Sequence, residues 1–407
     1  MPDVLYCMLL GVYYLSVLPW HIRFNSSVLQ SGTIVQILSG AILIILGVYI
    51  AGILVSLVRK IWLLIPSFVL LLGFLYLCSG MQKDIFDGLM IVFLALGAYG
   101  KDYRKLIKVL LWCTVGIIVL VLIGIPTGLT LETSKVGAYG TGLSFGFAHP
   151  NVFGSYLFFV FVTVWYLYVK DRSRLVELGY YVLSLALAVF MVIVPKCRTQ
   201  ALLLILFPLF VLLCRWVIGG RNQRRLSVLR QVFLWILIAA PVLCFLATVF
   251  LGIQREWLVT HTFGTYIENF SKRFIQAGLA FKEHGFPLLG EFIRFESAVP
   301  ENLGGYMIKL YVIDNGYVSY AILRGMVWMV PALLWLSFVN WKAGREHDFG
   351  MLAISVLFCL MGLMERYTFT MYNFVFLYPL ADMLFRDSES QSAAENGDTA
   401  ARLEEGP

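Results

Sequence analysis

Along most of the chain, apolar residues run for about twenty positions at a time between short polar turns, the spacing of helices that cross a bilayer. Runs of this kind lie near 4–20, 34–57, 61–79, 86–99, 106–126, 150–169, 176–194, 200–218, 231–252, 316–339, 349–364 and 369–385. They predict about twelve spans, the fourth being the shortest. One interval breaks the rhythm. Residues 254–314 carry Arg255, Lys272, Arg273, Lys282, Arg294 and Lys309 alongside seven acids. Unpaired backbone and charged groups cost several kcal/mol each in lipid, so this interval is expected to fold on one face of the membrane. Residues 386–407, rich in Ser, Ala and Glu, read as a disordered tail. The pattern predicts an all-α multipass membrane protein: a single transmembrane domain over 1–385, a large loop at 254–314 between the ninth and tenth spans, no internal repeat and no separate soluble domain.

Composition agrees. Hydrophobic residues make up 60% of the 407, charged residues 14%, and the mean hydropathy is +0.83. A soluble domain of this length could not hide so much apolar surface. Residues 4–20 lack a basic leader and a small-residue cleavage site, so they read as a first span rather than a signal peptide. The net charge of +7 lies mainly in short loops between spans, where it signals topology; a nucleic-acid partner is not expected. Seven cysteines, none in a CxxC pair, read as buried free thiols rather than disulfide or metal ligands.

The same charges orient the chain. One set of loops holds Arg59 and Lys60, Lys101 to Lys108, Lys170 to Arg174, Arg215 to Arg230, and Lys342 with Arg345; the opposite short loops hold only Arg23, Lys83, Lys135, Lys196, Arg198 and Arg366. The richer set belongs in the cytoplasm, which puts both termini there and the long loop outside. On that side there is no direct access to ATP or nucleotide sugars.

Three motifs then fall at the outer starts of helices: Ala148-His149-Pro150-Asn151, Pro195-Lys196-Cys197-Arg198-Thr199-Gln200 and Asp314-Asn315-Gly316-Tyr317. Helix N-termini present free N–H groups and a positive dipole, and Lys196 and Arg198 add cations, so this end suits a phosphate. Each motif also has a plain structural reading. His149, Asp314 and Asn315 are good caps, and Lys196 with Arg198 could hold lipid headgroups. Arg324 falls about two turns into the tenth run, where a cation is by default functional or ion-paired. There is no DxD, no phosphate-loop sequence and no HExxH. The first outer loop, His21 to Gly32, has no acid, which disfavours a metal-dependent transferase with its acid there.

At these residues the chain resembles the O-antigen ligase and Wzy-type polysaccharide polymerase superfamily. Phe147 to Gly154 is similar to the family's His-Pro-Asn segment, Cys197-Arg198-Thr199 to its Ser-Arg-Thr turn, Pro287-Leu288-Leu289-Gly290 to a hydrophobic-Gly stretch in the large loop, and Ile313 to Tyr317, followed by Gly325, to the start of the next span. Ligases usually carry His-Asn where this chain has Asp314-Asn315. That departure is closer to capsular and exopolysaccharide repeat-unit polymerases.

The resemblance implies glycosyl transfer without metal or other cofactor in a bacterial cytoplasmic membrane. The substrate would be a polyprenyl-diphosphate-linked oligosaccharide, with membrane lipids, a flippase and a chain-length regulator as further partners. In that reading Asp314 is the base, with His149 as the alternative. Arg198, Lys196, Arg273 and Arg294 bind the diphosphate, and Asn151, Asn315, Tyr317 and Arg324 position the site. Loop aromatics such as Tyr266, Phe292 and Phe295 would stack on sugars. A glycan ligase and a polysaccharide flippase stay open as alternatives.

Overall fold

The computed structural model of the chain describes residues 101–381 except 133, 138–139, 220–223, 264, 266–267, 292, 294–299, 311, 367 and 372–373, together with Cys7, Leu10, Gly11, Ile22, Ala95 and Ala98. Most of the first four expected spans, the 386–407 tail, Arg294 and the aromatics Tyr266, Phe292 and Phe295 lie outside the described residues.

The described part is mainly helical. Its long helices are α1 (Tyr103–Gly124), α2 (Pro150–Val164), which continues through a π-turn at Trp165–Val169, α3 (Arg174–Ile193), α4 (Arg198–Gly219) and α5 (Arg224–Ile253). Two loop helices follow, α6 (Arg255–Thr262) and α7 (Glu268–His284), then α8 (Gly316–Leu323), α9 (Met326–Arg345) and α10 (Phe349–Gly362). Two single turns, α11 (Thr368–Met371) and α12 (Phe374–Leu377), come last. Short antiparallel hairpins join β1 (Ser134–Gly137) to β2 (Gly140–Leu143) and β3 (Glu301–Leu303) to β4 (Tyr306–Ile308).

Among the described residues, six helices are long and apolar enough to cross a membrane: α1, α2 with its π-turn, α3, α4, α5 and α9. Much of their apolar surface faces outward. Leu175 is 80% exposed, Trp112 66% and Ile193 65%. Water would penalise each such side chain by about 1.5–3 kcal/mol relative to burial, whereas lipid does not. The chain is a membrane-embedded helical protein. Its core lies where aromatic rings interlock: Trp165 meets Phe207 edge-on at 5.0 Å, and Phe159 meets Phe374 at 5.2 Å.

The tenth expected span, 316–339, is not one helix. It breaks at Arg324–Gly325, where Gly325 has φ +90°. The loop segment Pro287 to Glu291 fills the break. Met326 N donates to Pro287 O (2.9 Å), Val327 N to Leu288 O (3.1 Å), and Glu291 N to Ile322 O (2.8 Å). Backbone groups orphaned by ending one helix and starting the next thus find partners. The fit needs two glycines. A Cβ on Gly325 would lie 2.3 Å from Leu288 O, and one on Gly290 (φ +86°) would lie 2.6 Å from Leu323 O. The eleventh expected span forms α10, 14 residues long and so about 21 Å; in the twelfth the described residues are helical at Thr368–Met371 and Phe374–Leu377, and 378–381 are a turn.

The described residues of the long interval are folded. Leu258, Val259, Phe274, Ile275, Ala277, Ala280, Leu303, Leu310 and Ile313 form an apolar cluster, completed by Val318 and Ile322 of α8. Because that core is shared with α8, the loop is continuous with the membrane portion. Helix α7 seats on the end of α5 through glycines: a Cβ at Gly278 would fall 2.2 Å from Gly252 O. The start of α2, the start of α4, the end of α5 and the end of α10 share this end of the bundle. At the opposite end Asp348 accepts from Lys170 Nζ (2.9 Å) and Tyr166 Oη (2.6 Å), and Arg215 grips Glu177 through two nitrogens.

Candidate functional site

Helix α2 begins at Pro150, whose missing N–H and fixed φ suit a first helical position. His149 is extended (φ −154°, ψ 145°) and caps the helix, its Nδ1 accepting from Asn151 N at 3.1 Å. That bond fixes the neutral tautomer: Nδ1 accepts, so the proton sits on Nε2. The side chain of Asn151 is left free to turn inward, and its Nδ2 donates to Glu365 Oε1 at 2.9 Å.

Helix α4 starts against α2. The turn before it puts Lys196 at φ +60°, and Cys197 N donates to Met191 O at 2.8 Å. The Cys197 thiol donates to Pro150 O at 2.8 Å, while Gln200 Nε2 donates to Ser155 Oγ (2.9 Å) and Asn151 O (3.3 Å). Gly154 permits this approach, since a Cβ there would sit 2.9 Å from Cys197 Sγ. Burial, and then the negative charge of Glu365, push the Cys197 thiol up, so it is a neutral donor and not a thiolate nucleophile. Lys196 is half-buried, and Arg198, the first residue of α4, is exposed.

The third motif completes the cluster. Asn315 caps α8 by accepting from Val318 N (3.1 Å), and its amide nitrogen donates to Leu363 O (2.8 Å) and Thr248 Oγ1 (3.2 Å). Gly316 presses on the same turn, where a Cβ would meet Glu365 O at 2.8 Å. Asp314, just outside, pairs with Arg273 of α7. Tyr317 is fully buried and donates to Cys359 O at 2.8 Å, so it ties α8 to α10 rather than facing a ligand. Arg324, 3% exposed, is also not within the cluster. It sits at the helix break with its guanidinium 4.5 Å from the Tyr320 ring centre.

All three motifs therefore converge on one feature that sequence reasoning passed over, the turn 363–366. At its centre Glu365 is 3% exposed. Burial raises its pKa above the usual carboxylate range, while Arg273, then Gln200 and Thr199, then Arg366 pull the other way. The sequence did contain a signal. Glu365-Arg366 is the charged pair between two apolar runs, but Arg366 entered only as a topology charge and Glu365 not at all. Thr199 and Gln200, next to Arg198, were likewise overlooked as groups facing a carboxylate.

Helices α2 and α8 each have one first-turn N–H capped, by His149 and Asn315 respectively. His149 uses Nδ1 on the cap. Asp314 is the more accessible acid, its side chain 35% exposed. The cluster thus offers a buried carboxyl, a partly exposed carboxyl and several cations at one end of a membrane bundle. No family model, no curated protein and no solved structure matches this chain.

Proposed function

We propose that the protein is a polysaccharide polymerase that joins polyprenyl-diphosphate-linked oligosaccharide units on the outer face of a bacterial cytoplasmic membrane. The observation that carries this reading is the convergence of the His149, Arg198 and Asp314 motifs, under a folded loop, on one turn at one end of the bundle. Lys/Arg asymmetry supports assigning that end to the outside.

Chemically, the donor's leaving group is a diphosphate. Cations held around it stabilise its developing charge, the role that fixed positive groups play in phosphoryl and acyl sites. Arg198, exposed at the head of α4, and Lys196 beside it are the first such groups. Arg273 is shared with Asp314, and Arg294 completes the set as a loop residue of the same chain. Asp314 is the base for the acceptor hydroxyl, with His149 as the alternative. The lipid-exposed flanks of α3 and α4, with Leu185, Leu202 and Leu209 among their exposed residues, suit the prenyl chain. Asp314 in place of the histidine expected of a ligase favours the polymerase over a glycan ligase.

Deleting the gene distinguishes the readings. A polymerase defect leaves single lipid-linked repeat units on the outer face, a ligase defect leaves long polymer on the carrier, and a flippase defect leaves single units inside. Complementation with Arg198→Ala should restore membrane protein but no polymer. Polymer of normal length in that strain would remove Arg198 from the phosphate-binding role.

A further inference from the structure

The buried carboxyl of Glu365 and the half-exposed carboxyl of Asp314 belong to different parts of the chain, yet one guanidinium serves both. Arg273 pairs directly with Asp314 and also acts electrostatically on Glu365. The intervening backbone is fixed at both ends. Asn315, next to Asp314, is bonded to Leu363 O, and Gly316 lies against Glu365 O. The two acids therefore cannot drift apart without breaking the α8 cap. We propose that Asp314 and Glu365 form one acid–base unit joined by Arg273, in which Asp314 takes the proton of the acceptor hydroxyl and Glu365 is a positioning residue that sets how strongly Asp314 holds it. The role of Asp314 rests on the glycosyl-transfer reading; the coupling of the two acids does not.

The step served is balanced without a further reactant. The acceptor O–H proton passes to an Asp314 oxygen, and the freed electron pair forms the bond to the anomeric carbon. The bond from that carbon to the diphosphate oxygen breaks, its electrons staying on the phosphate. Arg273 is paired with Asp314, and burial disfavours a charge on Glu365. Burial opposes ionising Glu365, and a like charge on Asp314 adds to that opposition, while Arg273 and Arg366 favour the ionised form. Two carboxyls that interact in this way titrate as a pair, and a change at one must appear at the other.

Glu365 also faces Asn151 from α2, Cys197, Thr199 and Gln200 at the start of α4, and Arg366 from its own turn. Of these only Arg366 carries a charge, since the thiol is held neutral and the others do not titrate. Arg366 is exposed, whereas Arg273 pairs directly with Asp314. Arg273 is the group that acts on both acids.

The test needs no substrate, so its failure and a failure to polymerise are separate results. Full-length protein in lipid nanodiscs is titrated by infrared difference spectroscopy, and the carboxylic C=O band lost in Glu365→Gln is followed against pH. In Asp314→Asn the midpoint of that band should fall by about one pH unit, because a like charge is removed and Arg273 is released to Glu365. In Arg273→Gln it should rise by a similar amount. An unchanged midpoint in Asp314→Asn, or no carboxylic band lost in Glu365→Gln, overturns the proposal.

Discussion

Glu365 makes a residue-scale prediction about stability that is independent of any substrate. Its pKa in the folded protein is raised by burial, partly offset by Arg273. An acid raised on folding contributes most below its unfolded pKa, and that contribution is lost as pH rises through the folded value. A tenfold difference in proton affinity between the folded and unfolded chain corresponds to about 1.4 kcal/mol. Glu365→Gln keeps the size of the side chain and an acceptor for Asn151 but removes the titration. Its melting temperature should therefore vary less than the native protein's between pH 5 and 8, and at pH 8 should equal or exceed it; an unchanged pH slope contradicts this. A second pair of variants separates base from cap. Asp314→Asn should lower transfer by about 10²–10⁴-fold, the usual worth of a positioned base. His149→Asn preserves an N-cap and should keep activity within about tenfold. Initial rates at equal protein decide; the reverse order would make His149 the base. Residue identity was well legible where local chemistry dominates. His149, Asn151 and Asn315 announced themselves as helix-start residues and do cap or bond as such. Glu365 was not legible, because its importance comes from what four distant segments bring to it.

At the scale of elements, hydropathy located the long spans within a few residues, because lipid demands about twenty apolar positions whatever the neighbours. The expected 106–126 and 176–194 correspond to α1 at Tyr103–Gly124 and α3 at Arg174–Ile193. Hydropathy could not see the break at Gly325, since both flanking halves are equally apolar and the cause lies some 35 residues away in sequence, at Pro287 to Gly290. The two glycines there make a sharp prediction. Gly325→Ala places a Cβ against Leu288 O in a backbone conformation that L residues rarely adopt, and should destabilise the protein by about 2 kcal/mol or more. Thermal unfolding in detergent would show it as a lowered midpoint. Gly116→Ala, within α1 with no described atom against its Cβ, is the control that should not lower the midpoint. Equal midpoints for the two variants would mean that the inserted segment does not hold the break.

For the molecule as a whole, the two ends of the bundle are built differently. At one end Lys170, Tyr166 and Asp348 form a closed set of bonds, with Lys342 donating to the carbonyls of Tyr378, Pro379 and Ala381. Those groups satisfy one another and leave little for a ligand. At the other end, a buried acid and exposed cations sit beneath the folded interval 254–314. Polarity alone said that this interval must avoid lipid; its apolar cluster with α8 explains why it stays over the site. The central claim is that this end transfers a glycan from a lipid diphosphate. Purified full-length protein in nanodiscs is given a polyprenyl-diphosphate-linked repeat unit in the presence of a chelator and without nucleotides, and the products are resolved by size. The account predicts a ladder of lipid-linked oligomers that disappears in Asp314→Asn; unchanged single units with the native protein, or a ladder undiminished in that variant, would contradict it.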